Sequence, residues 1–358
     1  MVRGPIQTAL LAVCILAGVA SVHAAPIYNA VDLGTLGGAY SYANGINNAG
    51  QVVGYSATAS AGDRAFLYSG GTISSLGTLG GSYSSANAIN NAGLVAGQSA
   101  TTGDAATHAF LYSGGATNDL GTLGGSHSFA YGINNANQVA GYSLTTGNTA
   151  WHAFLYSGGT TNDLGTLGGS HSYAYGINDA GDVVGYSLTT GDATRHAFLY
   201  NGTLNDLATL GGTYSQAFDI NNASQVIGFS ATTGDAADHA FLYSGGVMTD
   251  LSTLGGTFSY AYGINDAGDV VGGSTTTGDL ADLAFLYSGG AMFDLNSLLA
   301  VNIGTSLSEA RGINESGQII ANGLNDHAYL LTPIVPEPST SLLLLLGTGL
   351  TVRRIRRR

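Results

Sequence analysis

The sequence predicts an all-β fold, a seven-bladed β-propeller of four-stranded blades, and three observations predict it. The first is a fixed period: the phrase LGTLGG or a close variant begins at Leu33, Leu76, Leu120, Leu164, Leu207 and Leu251, with a worn copy, LNSLLA, at Leu295, so the copies lie 43 or 44 residues apart. A period of this size marks a propeller or a solenoid. The second is that two other phrases keep the same beat. An Ile-Asn pair recurs at Ile46, Ile89, Ile133, Ile177, Ile220, Ile264 and Ile313, and an AFLY-like phrase at Ala65, Ala109, Ala153, Ala197, Ala240, Ala284 and Ala328. The third is how the array ends. It starts with an orphan fourth strand in residues 28–36 and stops at Leu331 with three strands and no fourth. The spare piece at one end is the missing piece at the other, so residues 28–36 are expected to pair with the strand near residues 327–331 and close the ring. The alternative, a β-solenoid, would need atypical polar caps at both ends.

Each element follows in chain order. Residues 1–24 read as a secretory signal peptide, with Arg3, an apolar run and Val22-His23-Ala24 before the expected cleavage site. Residues 25–333 form the repeat body. In the unit at residues 126–169, alternation and turn residues predict strands near 128–134, 138–143, 152–157 and 161–167. Asn134-Asn135-Ala136-Asn137 and Ser157-Gly158-Gly159 are the hairpin turns between them, since Asn and Gly tolerate positive φ. The second and third strands are apolar on both faces and are expected to be covered on both sides. The fourth carries Asp at Asp32, Asp119, Asp163, Asp206, Asp250 and Asp294, read as charge that protects an outer edge. Residues 334–358 hold a Pro linker, a short apolar segment and a final Arg cluster. The apolar segment is short for a membrane span, and the arginines after it favour a cytoplasmic C-terminus with the body outside, a transient anchoring.

Composition excludes several classes of function. The chain has 9 basic residues against 22 acidic ones, for a net charge of -13. All nine are Arg, and only Arg64, Arg195 and Arg311 lie in the body, so nucleic acid is not an expected partner. The one cysteine, Cys14, sits in the leading apolar segment, so the body has no disulfide and no thiolate chemistry. There is no Lys for a phosphate loop and no G-x-S-x-G nucleophile elbow.

Two sets of equivalent positions are candidates for chemistry. His108, His152, His196, His239 and His327 share one position, with Arg64 and Leu283 in the other two repeats. The third strand lies far from the axis, so these are read as hydrogen-bonded strand-start residues and not as a metal ring. The loops between the second and third strands carry Asp63, Asp104, Asp192, Asp235 and Asp279. They are expected to share a face with Tyr40, Tyr83, His127, His171, Tyr214 and Phe258. That face is the candidate ligand surface. Its bland reading is a solvated acidic rim, and the other is weak calcium binding at Asp104, Asp192, Asp235 and Asp279. In the last repeat Glu309 and Arg311 share a strand face and are read as an ion pair where the ring closes. No catalytic residue and no tightly bound cofactor is expected, because near-identical repeats offer little of the asymmetry a catalytic site needs.

His152-Ala153-Phe154-Leu155-Tyr156, and Gly132-Ile133-Asn134 with Val139-Ala140-Gly141, recurring at this period over residues 28–331, resemble the HAF-repeat family of bacterial extracellular proteins. The resemblance implies a secreted, propeller-like repeat protein and carries over no catalytic residue. The tail Val335-Pro336-Glu337-Pro338-Ser339-Thr340, with the apolar run and Arg cluster, resembles a PEP-CTERM sorting signal. It implies that Pro336, Glu337 and Pro338 are recognised by an exosortase-type membrane enzyme in a Gram-negative bacterium, commonly one that makes exopolysaccharide. The expectation is an exported, non-catalytic protein of the envelope or matrix that binds or scaffolds extracellular polysaccharide in adhesion or biofilm. The alternatives are a propeller lyase or hydrolase acting on polysaccharide, and a purely structural matrix component.

Overall fold

The computed structural model describes residues 26–60 and 62–334. The expected signal peptide and the sorting residues Pro336, Glu337 and Pro338 lie outside the described residues. The described chain is a β-propeller of four-stranded antiparallel sheets, numbered here as blades from the one that begins at Gly37. Blade three is Gly124–Ile133, Val139–Thr145, Trp151–Ser157 and Thr160–Asp163, paired in that order. Blade one has the matching strands Gly37–Ile46, Val52–Thr58, Asp63–Ser69 and Thr72–Ser75. Blade seven is made of Leu307–Ile313, Ile319–Gly323 and Ala328–Pro333, and its fourth strand is Tyr28–Asp32 from the other end of the body. The pairing is antiparallel, with Tyr28 opposite Pro333 and Asp32 opposite Tyr329.

The strand limits differ from those expected, for local reasons. First strands start earlier, at Gly124 in blade three, ahead of a register shift between Gly124 and Ser128 that alternation does not reveal. Fourth strands stop early at the aspartate. Asp163 Oδ1 accepts from Gly165 N at 2.8 Å, a turn that ends the strand before Leu164 and sends the chain to the next blade. Glycine in the second strand is set by close approach, since a Cβ on Gly141 would stand 2.0 Å from the Phe129 carbonyl oxygen.

The core lies between blades. Val184, Ala197 and Leu207 of blade four pack with Ala217, Ile220, Val226 and Phe241 of blade five. The AFLY phenylalanines Phe66, Phe110, Phe154, Phe198, Phe241 and Phe285 are all fully buried. Leu33, Ala43, Val52 and Phe66 pack in the same way with Ile320 and Ala328, joining the first blade to the last.

The Ile-Asn phrase forms two belts of hydrogen bonds. Each first asparagine caps its own hairpin turn and donates Nδ2 to the carbonyl of the next: Asn47 to Asn90, then Asn134, Asn178, Asn221, Asn265 and Asn314, and from Asn314 back to Asn47 at 3.0 Å. In the second belt the backbone N–H of the following residue donates to the next side chain. It runs through Asn48, Asn91, Asn135, Asp179, Asn222, Asp266 and Glu315, and Glu315 N donates to Asn48 Oδ1 at 3.1 Å. Each of these bonds crosses to a neighbouring blade, which fixes blade spacing at the turn face. Among the described residues no helix is long and apolar enough to cross a membrane.

Candidate functional site

The first strands line a central channel. At the turn face its mouth is ringed by the two asparagine belts, with carboxylates at Asp179, Asp266 and Glu315. At the opposite, loop face it is lined by Asn44, Asn87, Tyr131, Tyr175, Phe218, Tyr262 and Arg311. The residue before each channel isoleucine is small in six blades (Gly45, Ala88, Gly132, Gly176, Gly263, Gly312) and is Asp219 in blade five. Burial pushes the Asp219 carboxyl up to about 7, and hydrogen bonds from Ile220 N at 2.9 Å and Ile264 N at 3.2 Å act the other way. Sequence reasoning passed over Asp219. Its signal was an acidic side chain at a position otherwise held by Gly or Ala.

The expected ligand-face residues are placed as follows. Asp104, Asp192, Asp235 and Asp279 sit in one-turn 3-10 segments with φ between 54° and 56°, and Asn148 holds the matching place with φ 57°. Their carboxylates staple the loop to the start of the first strand. Asp104 accepts from Ser82 N at 2.7 Å, Asp192 from Ser170 N and Oγ at 2.6 and 2.8 Å, and Asp235 from Thr213 N and Oγ1 at 2.7 and 2.9 Å. Asp279 accepts from Thr257 N and from the hydroxyls of Thr257 and Thr275, all at 2.6–2.7 Å. Such bonds favour the charged form and hold Asp104, Asp192 and Asp279 below the usual carboxylate range, with the Ser82 and Ser170 N–H groups leading for the first two and the Thr275 hydroxyl for the third. Among the described residues no three His, Cys, Asp or Glu side chains gather as a metal site.

Asp63 does not belong to this set. The chain between Ser56 and Ala65 is one residue shorter than between Ser99 and Ala109, so Asp63 begins the third strand. There it accepts from the Tyr40 hydroxyl at 2.5 Å, a bond that pushes the phenol up to about 12. Tyr214 is held in the same way by Asp238 at 2.7 Å. Tyr83 takes a longer bond from Gln98 Nε2, 3.3 Å. His127 and His171 are tied back to the preceding blade, each accepting at Nδ1 from a backbone N–H, of Thr107 and Trp151, at 2.9 Å. These bonds orient the rings around the loop face, and some have ring neighbours as well, Tyr42 for Tyr40 at 5.9 Å and Phe229 for Tyr214 at 6.3 Å.

The five equivalent histidines, read above as hydrogen-bonded strand-start residues, find their partners on the fourth strand. His108, His152, His196, His239 and His327 bond through Nδ1 to Asp119, Asp163, Asp206, Asp250 and Asp32 on the adjacent fourth strand, at 2.7–2.8 Å. The fourth-strand aspartates thus pair with these histidines as well as ending the strand. Their joint loss was readable: blade one has Arg64 and Ser75 at the two places. Blade six has Leu283, and its Asp294 instead caps the segment Leu295–Leu298. Glu309 and Arg311 do pair, at 2.8 Å, with the guanidinium 4.3 Å from the Tyr262 ring centroid.

No family model matches the chain, and no curated protein matches it. Among solved structures it is similar to a catalytically inactive virginiamycin B lyase from Staphylococcus aureus, solved with quinupristin. That likeness has TM-score 0.56 and 13% identity, and covers 86% of this chain and 100% of that one. It is also similar to the β-propeller domain of the trilobed protease from Pyrococcus furiosus (TM-score 0.36, 10% identity, 72% and 98% covered). A third likeness is to the Aleuria aurantia lectin in complex with Fucalpha1-6GlcNAc (TM-score 0.40, 14% identity, 71% and 94% covered). Identities this low speak for the fold alone, and the class that the sheet pairings define is the β-propeller.

Proposed function

We propose that the mature protein is an exported, non-catalytic member of the bacterial envelope or matrix that binds extracellular polysaccharide through the loop face of a closed ring of seven blades. The observation that carries this reading is the chemistry of that face. Aromatic rings at Tyr40, Tyr83, His127, His171 and Tyr214 stand beside hydroxyls and amides, while Asp63, Asp104, Asp192, Asp235 and Asp279 accept hydrogen bonds from within the fold and hold the loops in place. Rings stack on sugar C–H surfaces and short polar groups meet hydroxyls, so repeated blades supply avidity in place of one strong site. The HAF-like repeats support export, and the PEP-CTERM-like tail supports delivery by an exosortase-type enzyme acting at Pro336, Glu337 and Pro338.

The test is retention of the protein by its host's own polysaccharide, with a parallel search for new reducing ends or unsaturated sugar products. Saturable retention without product is expected. Absent retention with an intact matrix would move the reading to a structural component. Product formation would move it to an enzyme, and one observation supports keeping that second reading: Asp219 is a protonatable carboxyl in the channel that breaks the repeat symmetry.

A further inference from the structure

At two interfaces a ring on the second strand of one blade meets a ring on the first strand of the next, Tyr142 with Tyr173 and Phe229 with Tyr260, and four of the remaining interfaces keep a ring at one of the two places. Between blades six and seven both rings are missing, because Gly273 and Glu309 occupy those two places. A register shift between Leu307 and Glu309 also turns Leu307 into the core and leaves Ser308 on the open side. The result is a cleft of about 300 Å³ walled by Phe258, Tyr260 and Tyr262 and edged by Asp282, Ser308 and Glu309.

Asp282 is the odd member of its set. At the same position Asp63, Asp238 and Asp326 each accept from a tyrosine hydroxyl, of Tyr40, Tyr214 and Tyr42, at 2.5, 2.7 and 2.6 Å. In place of those tyrosines Asp282 has Phe258 in its own blade and Glu309 in the next, and neither can donate. The Glu309 charge is taken up by Arg311 at 2.8 Å and by Asn322 Nδ2 at 3.1 Å. One exposed carboxylate therefore faces aromatic rings without the tyrosine donor its sisters have.

From this we infer that the cleft between blades six and seven is a binding site for a saccharide residue bearing a protonated amine, which rests on the polysaccharide-binding reading and narrows it. The ammonium group pairs with Asp282 while lying against the ring faces, where cation–π attraction adds to the ion pair. The sugar body stacks on Phe258 and Tyr260, and its hydroxyls reach Ser308. A uronic acid or sulfated sugar would set like charges together and is disfavoured.

The experiment is calorimetric titration of the purified protein with glucosamine oligomers, with their N-acetylated counterparts and with choline. Glucosamine oligomers are expected to bind at least about ten-fold more tightly than the N-acetylated ones, and Asp282→Asn to remove about that preference, the scale of a charge-assisted hydrogen bond. Gly273→Phe restores the ring that sister blades carry, and a Cβ there meets only ordinary contacts of 3.4 Å or more. It is expected to abolish saturable binding without lowering the melting temperature. Equal affinity for acetylated and free-amine oligomers, choline binding as tightly as the oligomers, or undiminished binding by Gly273→Phe would each overturn the assignment. Host polysaccharide retained equally by the parent and Gly273→Phe would overturn it while leaving the wider reading intact. Amino-sugar binding without retention by host polysaccharide would uphold the cleft and remove the wider reading.

Discussion

The interface that joins blade seven to blade one brings together the two ends of the body, while the interface between blades six and seven joins neighbours along the chain. The distant pair is the more regular one. Across it, Asn314 reaches Asn47, Glu315 reaches Asn48, Ala328 N donates to Ser41 Oγ at 3.1 Å and Tyr42 donates to Asp326. The serine bond repeats those of Ala65, Ala109, Ala153, Ala197 and Ala240 to the next blade's serine. Between blades six and seven neither place holds a ring, where the closing interface still has Tyr42, the register slips and the Asn265–Asn314 bond stretches to 3.5 Å. A covalent connection permits the difference. Blades six and seven are held together by the chain from Leu295 to Ser306, so some contacts there can be given up to open a cleft, whereas at the closing interface only contacts hold the ends.

The largest effect should come from deleting Tyr28–Asp32, which strips blade seven of its outer strand, the one strand it takes from the other end of the body. Scanning calorimetry should show loss of the cooperative transition; a truncated protein melting within a few degrees of the parent would mean that closure contributes little. Next, Phe66→Ala in the core shared by blades one and seven should lower stability by about 3–5 kcal/mol, the usual loss for a buried phenylalanine, measured by denaturant unfolding.

A sharper contrast compares equivalent asparagines. Asn314→Ala removes the turn cap and the 3.0 Å bond that closes the belt, with an expected loss of about 1–3 kcal/mol. Asn265→Ala, whose bond to blade seven is 3.5 Å, should lose less. Equal losses would show that the belt does not distinguish the two interfaces.

The smallest effect is a pH dependence. The Asp219 carboxyl has a folded value of about 7 against about 4 in the unfolded chain, so the folded state holds its proton more tightly. Its unfavourable contribution is therefore absent below about pH 4, grows as pH rises toward 7 and is complete above it. Relative to the parent, Asp219→Ala should gain about 1–2 kcal/mol between pH 4 and pH 8, a figure reduced from the full shift because the channel is open to water. A variant whose stability difference is the same at both pH values would show that Asp219 is not held in that state.

The repeat period, the all-β class and the four-strand unit were legible in the residues, because each depends on local alternation and on turn residues that recur at a fixed spacing. The pairing of Tyr28–Asp32 with Ala328–Pro333 could be expected from a spare strand at one end and a missing one at the other. The loop-face aspartates were also visible, except that a one-residue deletion hid the separate role of Asp63. Which side chains meet is set by the assembled fold. The pairing of His152 with Asp163 crosses two strands, the asparagine belts run from blade to blade, and Asp219 acquires its raised value only where the first strands converge. The cleft is the clearest case. Gly273, Glu309, Phe258 and Asp282 are four ordinary departures from a consensus until the fold sets them around one space, since the contacts each one forgoes belong to a neighbouring strand or blade.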